Sequence, residues 1–492
     1  MHITLLPMTL LALVVLLPVA GALVAAVLRP RWTRAVAVVT ALAVALLAVA
    51  AAWQGYPAGL DVRFGGMSWL GPARGQGLFG LLLDPLSTIL LIVVTVIGFL
   101  TVLYSTKYLR EKNRDHPVGP ADQGRYYFWL LAFLASMAGV ATAPNFLQLF
   151  IFWELTTVCS WALISFNHSE KSLKAGFKAI VMTHAGGLFF LVALLVLFAR
   201  TGSFEFDALR SLDPTLRGWI YVFLLIAASA KAAQVPFHTW LPDAMEAPTP
   251  ISAYLHAAAM VKAGVYLMLR AVGASGGVPH GVGLLMAALA LTTILVALSF
   301  YFVQDDLKRL LAYSTIAHLG YIMLGAALGA LGSTVGFQGG ALHILTHGFS
   351  KATLFLCVGA VAYITGSRSI SALGGVAKVM PLTATAYFVG VLAVTGIPPF
   401  ACFWSKFMIV AGALQVPGGL GVGIMVLVLV ESLVAFGWML HVGQKVFFGQ
   451  QTELAKVNSD PPFAMSAALV LLMIGCLVVP LFGIPLVRLI GG

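Results

Sequence analysis

The chain has 492 residues, of which 60% are hydrophobic and only 9% are charged, whereas soluble domains carry about 25% charged residues. This composition, with a mean hydropathy of +0.99, excludes a soluble globular protein and predicts a chain that crosses the bilayer many times. The net charge of +11 does not indicate a nucleic-acid partner, because the basic residues lie in short loops between apolar runs, where they set membrane orientation.

Apolar runs follow one another along the chain and predict an all-α polytopic membrane protein with about 14 transmembrane helices. The first run is too long for a signal peptide and has no basic stretch before it, so we expect it to remain as a span. Loop 54–82 is rich in glycine and predicts a small hairpin cap. The predicted spans are 4–28, 35–53, 83–106, 126–142, 145–166, 174–199, 218–240, 250–272, 281–303, 307–330, 335–364, 382–412, 420–447 and 463–489.

Lysine and arginine are concentrated in the loops that follow odd-numbered spans, and this asymmetry orients the bundle. Arg29, Lys107 and Lys308 belong to this set, whereas the loops after even-numbered spans hold fewer basic residues. The loop after span 7 is an exception, with Asp243 and Glu246 and no basic residue. The positive-inside rule predicts that both termini lie outside the cytoplasm. We expect the membrane to be the plasma membrane or an inner membrane.

Short sequence matches at offsets of 163 and 164 residues indicate an internal duplication. Residues 201–209 match residues 365–373 at five positions, and Thr183-His184 recurs as Thr346-His347. The offset covers five predicted helices, an odd number, so the second copy must be inverted in the membrane, as in many transporters. The predicted organisation is a region of three spans in 1–125, a first inverted repeat in 126–272, a second in 281–447, and a C-terminal span in 448–492.

Proline interrupts two predicted spans in matching places. Pro236-Phe237 lies in span 7, and Pro398 precedes Pro399-Phe400 in span 12. Proline breaks a helix, and a broken helix at membrane depth persists only where protein or water satisfies its backbone. The matched breaks therefore predict two water-accessible half-channels, with a kink fitted only for helix packing as the alternative.

Six lysine and glutamate side chains are singled out because they are predicted to lie deep within the spans, where each costs about 2.5–3.5 kcal/mol to insert at the bilayer centre. One interpretation is a set of buried ion pairs that fix helix packing, but such pairs contribute little stability. The other is a proton relay, in which a carboxylate that moves near a buried lysine switches it between charged and neutral forms. The six residues are Glu154, Lys231, Lys262, Lys351, Lys406 and Glu431.

Span 11 also carries His343 and His347, which precede Lys351 at intervals of four residues. Residues at this spacing share one slowly rotating face of a helix. Histidine exchanges protons near neutral pH, so this face predicts part of a proton wire.

Other histidines within the spans receive different interpretations. His256 lies off the helix face of Lys262, and we place it in the relay through water. His184 and His441 are interpreted as hydrogen-bonded helix contacts, and His318 is intermediate.

No segment of the sequence predicts a cofactor or metal site. The four cysteines lie inside apolar runs without metal-ligand spacing, and the chain contains no phosphate-binding loop. The glycine-rich run 419–423 follows no strand, which argues against a dinucleotide site. We therefore expect no redox centre in this chain, and whether the chain belongs to an enzyme is left open.

One long segment carries a family resemblance. The stretch from Lys231 to Gly264 reads KAAQVPFHTWLPDAMEAPTPISAYLHAAAMVKAG. It resembles the core signature of the antiporter-like membrane subunits of respiratory complex I, Mrp-type antiporters and membrane-bound nickel–iron hydrogenases. Supporting stretches begin at Asp84, Leu307 and Gly396.

A closer resemblance is to the hydrogenase-4 branch of that family (component D), from formate-hydrogenlyase-type complexes. Segments 104–117, 159–165 and 431–436 carry it. It implies a proton-translocating subunit that works beside other membrane subunits and a peripheral redox module. Complex I and a Mrp-type antiporter that exchanges Na⁺ are alternatives, as is a membrane scaffold that conducts nothing. An enzyme acting within the membrane would need a nucleophile or metal motif, which is not found.

The resemblance also implies a role for each buried residue. Glu154 and Lys231 would form a modulating pair, and Lys262 would be the central relay lysine. The face of span 11 would lead toward Lys406 near the exit. Some relatives carry an acid near Gly186-Gly187, where this chain has none, so the uptake side of the relay is open.

Overall fold

The computed structural model describes residues 2–64, 78–274, 276–417, 419–456 and 460–491, and it confirms the all-α class, with 79% of the chain helical. The helices are α1 (His2–Val27), α2 (Pro30–Gly55), α3 (Pro85–Tyr108), α4 (Gln123–Thr142), α5 (Phe146–Ile164), α6 (Glu170–Thr201), α7 (Pro214–Lys231), α8 (Trp240–Asp243), α9 (Thr249–Ala257), α10 (Met260–Ala274), α11 (His280–Ser299), α12 (Leu307–Ala330), α13 (Thr334–Thr365), α14 (Pro381–Thr395), α15 (Ala401–Ala413), α16 (Leu420–Phe447) and α17 (Phe463–Arg488). The predicted hairpin is present as β1 (Leu60–Phe64) paired antiparallel with β2 (Phe79–Leu83).

Eleven helical segments in the described ranges are long and apolar enough to cross a membrane. The other three predicted spans coincide with α4 and with two interrupted helices, α7–α8 and α14–α15, which do not meet that criterion. The architecture of the predicted bundle is therefore confirmed, while the number 14 stays a prediction. The central stretches of α12 and α13 are entirely buried in protein, and α13 packs against α3, α9, α12, α15 and α17.

The loops gather at two ends of the bundle, as the alternation of spans requires. At one end, Arg368 after α13 lies 3.4 Å from Asp115 after α3. At the other end, Arg63 of the hairpin lies 2.8 Å from Glu205 after α6. Which end faces the cytoplasm stays a prediction.

The duplicated turns after α6 and α13 have the same local structure. Both helices contain 32 residues and end at a glycine with positive φ, Gly202 or Gly366. Thr201 Oγ1 accepts the Ser203 N–H at 3.2 Å, and Thr365 Oγ1 makes the equivalent contact at 3.2 Å. Since one turn lies at each end of the bundle, this observation supports an inverted repeat. The domain boundaries remain predictions.

Both predicted helix breaks are present, and a third was missed. The chain leaves helical geometry between α7 and α8 around Pro236, and between α14 and α15 around Pro398 and Pro399. Span 250–272 was predicted as one helix, but it is interrupted between α9 and α10. There the N–H groups of Ala258 and Ala259 both donate to the Tyr254 carbonyl, at 3.0 and 2.9 Å.

Candidate functional site

Lys231 is fully buried at the last residue of α7, beside the proline break. Its Nζ donates to the Trp153 carbonyl at 2.7 Å and to Thr157 Oγ1 at 2.6 Å. Trp153 and Thr157 are one turn apart on α5, so they present one face of that helix to α7. This lysine is thus held by polar oxygens rather than by a carboxylate.

Glu154 makes a different contact from the one that the family resemblance implied. Its Oε2 lies 2.8 Å from His184 Nδ1 of α6, and no ion pair within 4.0 Å joins it to Lys231 in the described structure. The reason is rotational: successive residues point about 100° apart on a helix, so the Glu154 side chain reaches His184 of α6, whereas Lys231 of α7 meets the Trp153 carbonyl and the Thr157 hydroxyl. Gly187 of α6 provides the space, since a Cβ there would lie 2.3 Å from Glu154 Oε1.

Lys262 occupies the centre of the bundle, just after the break between α9 and α10. It is fully buried, and its Nζ donates to the Ile344 carbonyl at 3.1 Å and lies 2.8 Å from His347 Nδ1. The segment after the break thus places Lys262 against the face of α13 that was predicted to form part of a proton wire.

The imidazole rings of His347, His318 and His343 form a row that begins at the contact between Lys262 and His347. His318 of α12 stacks on His343 with 5.2 Å between ring centroids and 4° between planes, and on His347 at 5.1 Å. His318 Nδ1 lies 3.0 Å from His343 Nε2. His343 Nδ1 in turn lies 2.8 Å from Ser405 Oγ of α15. His318, which the sequence left intermediate, is therefore a central member of the row.

The row ends between α15 and α16. Lys406 Nζ lies 2.9 Å from Ser432 Oγ and 3.6 Å from Glu431 Oε2. Tyr321 of α12 donates its hydroxyl to Glu431, and its ring centroid is 5.6 Å from that of His343. Tyr321 thus connects the histidine stack to the Lys406–Glu431 pair.

Two predicted members lie beside the row rather than in it. Lys351 Nζ donates to the Leu311 carbonyl at 3.3 Å. His256 is fully buried, and neither ring nitrogen has a hydrogen-bond partner among the described residues. The eight-residue step from His343 to Lys351 turns about 80° around a helix, which directs the lysine away from the stack.

The sequence missed Tyr321, Ser405 and Ser432, because single hydroxyl residues carry no signal of their own. His184 was interpreted only as a helix contact, although its match with His347 across the duplication was a usable signal.

No direct hydrogen bond joins the Glu154–His184–Lys231 group to Lys262 in the described residues. In the same residues, no group of three or more histidine, cysteine, aspartate or glutamate side chains could hold a metal ion.

Comparisons with known proteins agree on one family. The sequence model described as NADH:quinone oxidoreductase/Mrp antiporter, TM, matches residues 143–435, and that of NADH-ubiquinone oxidoreductase (complex I), chain 5 N-terminus, matches residues 69–116. Chloroplastic NAD(P)H-quinone oxidoreductase subunit 5 of Nuphar advena is 38% identical over 67% of this chain and 45% of its own length. A probable K(+)/H(+) antiporter component of Rhizobium meliloti (strain 1021) is 36% identical over 96% of this chain and 47% of its own length. The chain thus spans about half the length of these curated relatives.

Two solved structures are similar over nearly the whole chain. A chain of the Mrp complex from Dietzia sp. DQ12-45-1b matches with a TM-score of 0.85 and 32% identity, covering 97% of this chain and 51% of that one. A chain of the membrane-bound sulfane sulfur reductase, an archaeal respiratory membrane complex, matches with a TM-score of 0.83 and 26% identity. That alignment covers 98% of this chain and 96% of the other.

Proposed function

Because the chain belongs to the membrane-subunit family of NADH:quinone oxidoreductases and Mrp antiporters, we propose that it carries protons across the membrane along its buried row of ionisable side chains. One observation supports this most directly: Lys262, His347, His318 and His343 form an unbroken series of ring stacks and hydrogen-bond distances in the centre of the bundle.

The chemistry of the row suits stepwise proton transfer. A neutral imidazole accepts a proton on one nitrogen and gives up another from its second nitrogen. Lys262 in its charged form donates to His347, and in its neutral form it takes a proton back. Ser405 and Tyr321 extend the series toward Lys406, whose charge is balanced by Glu431. Lysines lie at both ends of the row and histidines lie in the middle. A proton can therefore be bound by Lys262 at one end or by Lys406 at the other.

The uptake side in this proposal is the group of Lys231, Glu154 and His184. Glu154 and His184 are 23% and 57% exposed on the outer surface of α5 and α6, at a depth where hydrocarbon would surround the chain if it stood alone. Exposed ionisable groups are costly there. We therefore expect a neighbouring membrane protein of the same complex to cover this pair, and similar chains are found in multisubunit membrane complexes. Water that enters at the Pro236 break would join Lys231 to Lys262.

The complex that we favour is redox-driven and of the membrane-bound hydrogenase or formate-hydrogenlyase type. The hydrogenase-4-like segments support this choice, as does the end-to-end match with a chain of a respiratory complex. The redox centres would lie in a peripheral module. Membership of complex I is the alternative that the curated relatives support.

Na⁺/H⁺ exchange in a Mrp-type assembly is less favoured by the local geometry. Sodium would need additional oxygen ligands near the breaks, and Asp243 is a nearby candidate. Its two carboxylate oxygens instead lie 2.7 Å from Lys178 Nζ and 3.4 Å from Arg309 Nη2. These cations already occupy the carboxylate that a sodium ion would use.

The test is proton uptake by inverted membrane vesicles that carry the assembled complex, with Lys262→Met compared with wild type at equal complex abundance. Lys378→Ala, at the exposed surface of the bundle, is the control. Persistent redox turnover with proton uptake lost only in Lys262→Met supports the proposal. Unchanged uptake in both variants would leave the chain as a scaffold, with protons carried elsewhere in the complex.

A further inference from the structure

A polar cavity lies at the end of the bundle that carries the hairpin. Its volume is about 470 Å³, whereas one water molecule needs only about 15 Å³ of such space. Asp61 and Arg63 of the hairpin line the cavity together with Glu205 after α6, and Asp207 at its rim is exposed. Water can therefore enter the bundle from this end.

Asp84 and Arg270 form the inner wall of this cavity. The Asp84 side chain is 33% exposed and that of Arg270 only 8%, so the carboxylate faces the water and the guanidinium lies behind it. Both terminal nitrogens of Arg270 donate to the Asp84 carboxylate, Nη2 at 2.7 Å from Oδ1, and Nη2 also donates to Ser87 Oγ. The carboxylate in turn accepts the Ser87 N–H at 2.8 Å. These contacts hold the guanidinium in one place across the inner end of the cavity.

Arg270 lies two turns of α10 beyond Lys262, the central lysine of the row. Eight residues advance a helix by about 12 Å, and the sequence of α10 places one polar side chain, Tyr266, between the two. The Tyr266 hydroxyl accepts a hydrogen bond from Arg270 Nε at 2.9 Å and donates to the Ala141 carbonyl at 2.9 Å. A polar route along α10 from the cavity to Lys262 therefore meets Arg270 first and Tyr266 second.

Neither side chain is suited to pass a proton along this route. A guanidinium stays charged and has five donors but no acceptor, so Arg270 cannot take a proton from water in the cavity. The single hydroxyl proton of Tyr266 is donated to a carbonyl, and its oxygen faces the fixed positive charge of Arg270. That charge also repels an approaching hydronium ion, as an arginine does in channels that exclude protons.

We propose that Arg270 is a barrier that separates Lys262 from the water at the hairpin end of the bundle. This inference rests on the proposed function, because a barrier at Arg270 matters only when Lys262 carries protons. The barrier would give the row its direction. A proton on Lys262 cannot leave directly at the hairpin end, and its forward step is to His347.

The test is the passive decay of an imposed pH gradient in proteoliposomes that contain the assembled complex, without a redox substrate. Arg270→Gln keeps a polar side chain but removes the charge, and the gradient should decay several-fold faster than with wild type. Arg270→Lys keeps the charge beside Asp84 and should hold the gradient. Arg210→Gln, at an exposed arginine of the same cavity, is the control and should also hold it.

A second substitution tests the route. Adding Lys262→Met to Arg270→Gln should abolish the extra leak, because the leak passes through Lys262. If Arg270→Gln alone does not assemble, Arg270→Gln combined with Asp84→Asn takes its place, since that pair leaves no unpaired charge.

Three outcomes would overturn the proposal. Arg270→Gln could hold the gradient as well as wild type, Arg270→Lys could leak as fast as Arg270→Gln, or the leak could persist after Lys262→Met is added. The first outcome, together with redox-driven uptake that still depends on Lys262, would remove the barrier and leave the proposed function intact. Uptake that does not depend on Lys262 would instead remove the proposed function itself.

Discussion

Lys262 Nζ lies 2.8 Å from His347 Nδ1, and this contact joins the two halves of the chain. Lys262 follows the break between α9 and α10 in the first predicted repeat, while His347 lies in the uninterrupted α13 of the second. A proton that passes between the halves through side chains has its shortest step here. The contact therefore identifies the residue pair whose loss should matter most.

Replacing His347 with glutamine should lower proton uptake about tenfold, which corresponds to about 1.4 kcal/mol in the barrier. Glutamine keeps a polar side chain beside Lys262 but cannot pass a proton from one nitrogen to another. The measurement is the initial rate of uptake in inverted vesicles. His441→Gln is the matched control, because His441 lies on α16 outside the row. Equal rates in the two variants would contradict the role of the histidine stack.

Tyr321→Phe should lower uptake several-fold with little change in assembly. The variant keeps the ring against His343 and Lys406 but removes the hydroxyl that donates to Glu431. Loss of one partner of a buried hydrogen bond costs about 1–3 kcal/mol, so the melting temperature of the purified complex should fall slightly. If transport is normal while the melting temperature falls, Tyr321 is structural and the exit route lies elsewhere.

Gly187→Ala should impair transport by displacing the Glu154 carboxylate from His184. The added Cβ would lie 2.3 Å from Glu154 Oε1, so one of the two must move. Gly423→Ala is the control, since it also lies within a helix and its Cβ would meet nothing within 4 Å. We expect proton uptake to fall several-fold only for Gly187→Ala, at equal abundance of the complex. Normal uptake would show that the Glu154–His184 contact is dispensable.

Stability should decrease in mild acid because of His116, in the loop between α3 and α4. Burial lowers the pKa of His116 to about 4, and the nearby cations Lys308 and Arg368 act in the same direction, against Asp115. The unfolded chain binds this proton below about pH 6.5, the folded chain only near pH 4. The free energy of unfolding should therefore fall by about 1.4 kcal/mol per pH unit between those values.

Thermal unfolding of the complex at pH 7 and pH 5 measures this effect. His116→Gln should reduce the difference in melting temperature between the two pH values. The exposed histidine variant His280→Gln should retain the full difference. An unchanged difference in His116→Gln would place the acid sensitivity in other groups.

Features fixed by local sequence were predictable, and features fixed by helix rotation were not. Hydrophobic length located the helices, and proline located two breaks, because each acts through its own backbone. The third break at Ala258 and Ala259 involves two good helix formers, and it depends on a shared carbonyl acceptor rather than on residue type. No local signal indicated it.

The same distinction applies to the candidate site. The sequence identified the buried lysines and histidines by residue type and depth. It did not reveal their partners, because a 100° step decides whether Glu154 meets His184 or Lys231. The family resemblance implied the second pairing, and the packing of α5 against α6 produces the first. Hydroxyl members such as Ser405 are visible only once helices are packed.

The matching turns after α6 and α13 lie at opposite ends of the bundle, so the two copies meet different aqueous compartments. Asp207 and Ser371 occupy equivalent positions in these turns and are both exposed. A cysteine at either position would react with a membrane-impermeant maleimide added from one side only, and the four native cysteines are all buried. One such labelling experiment on Asp207→Cys and Ser371→Cys would assign every loop of the protein to its compartment.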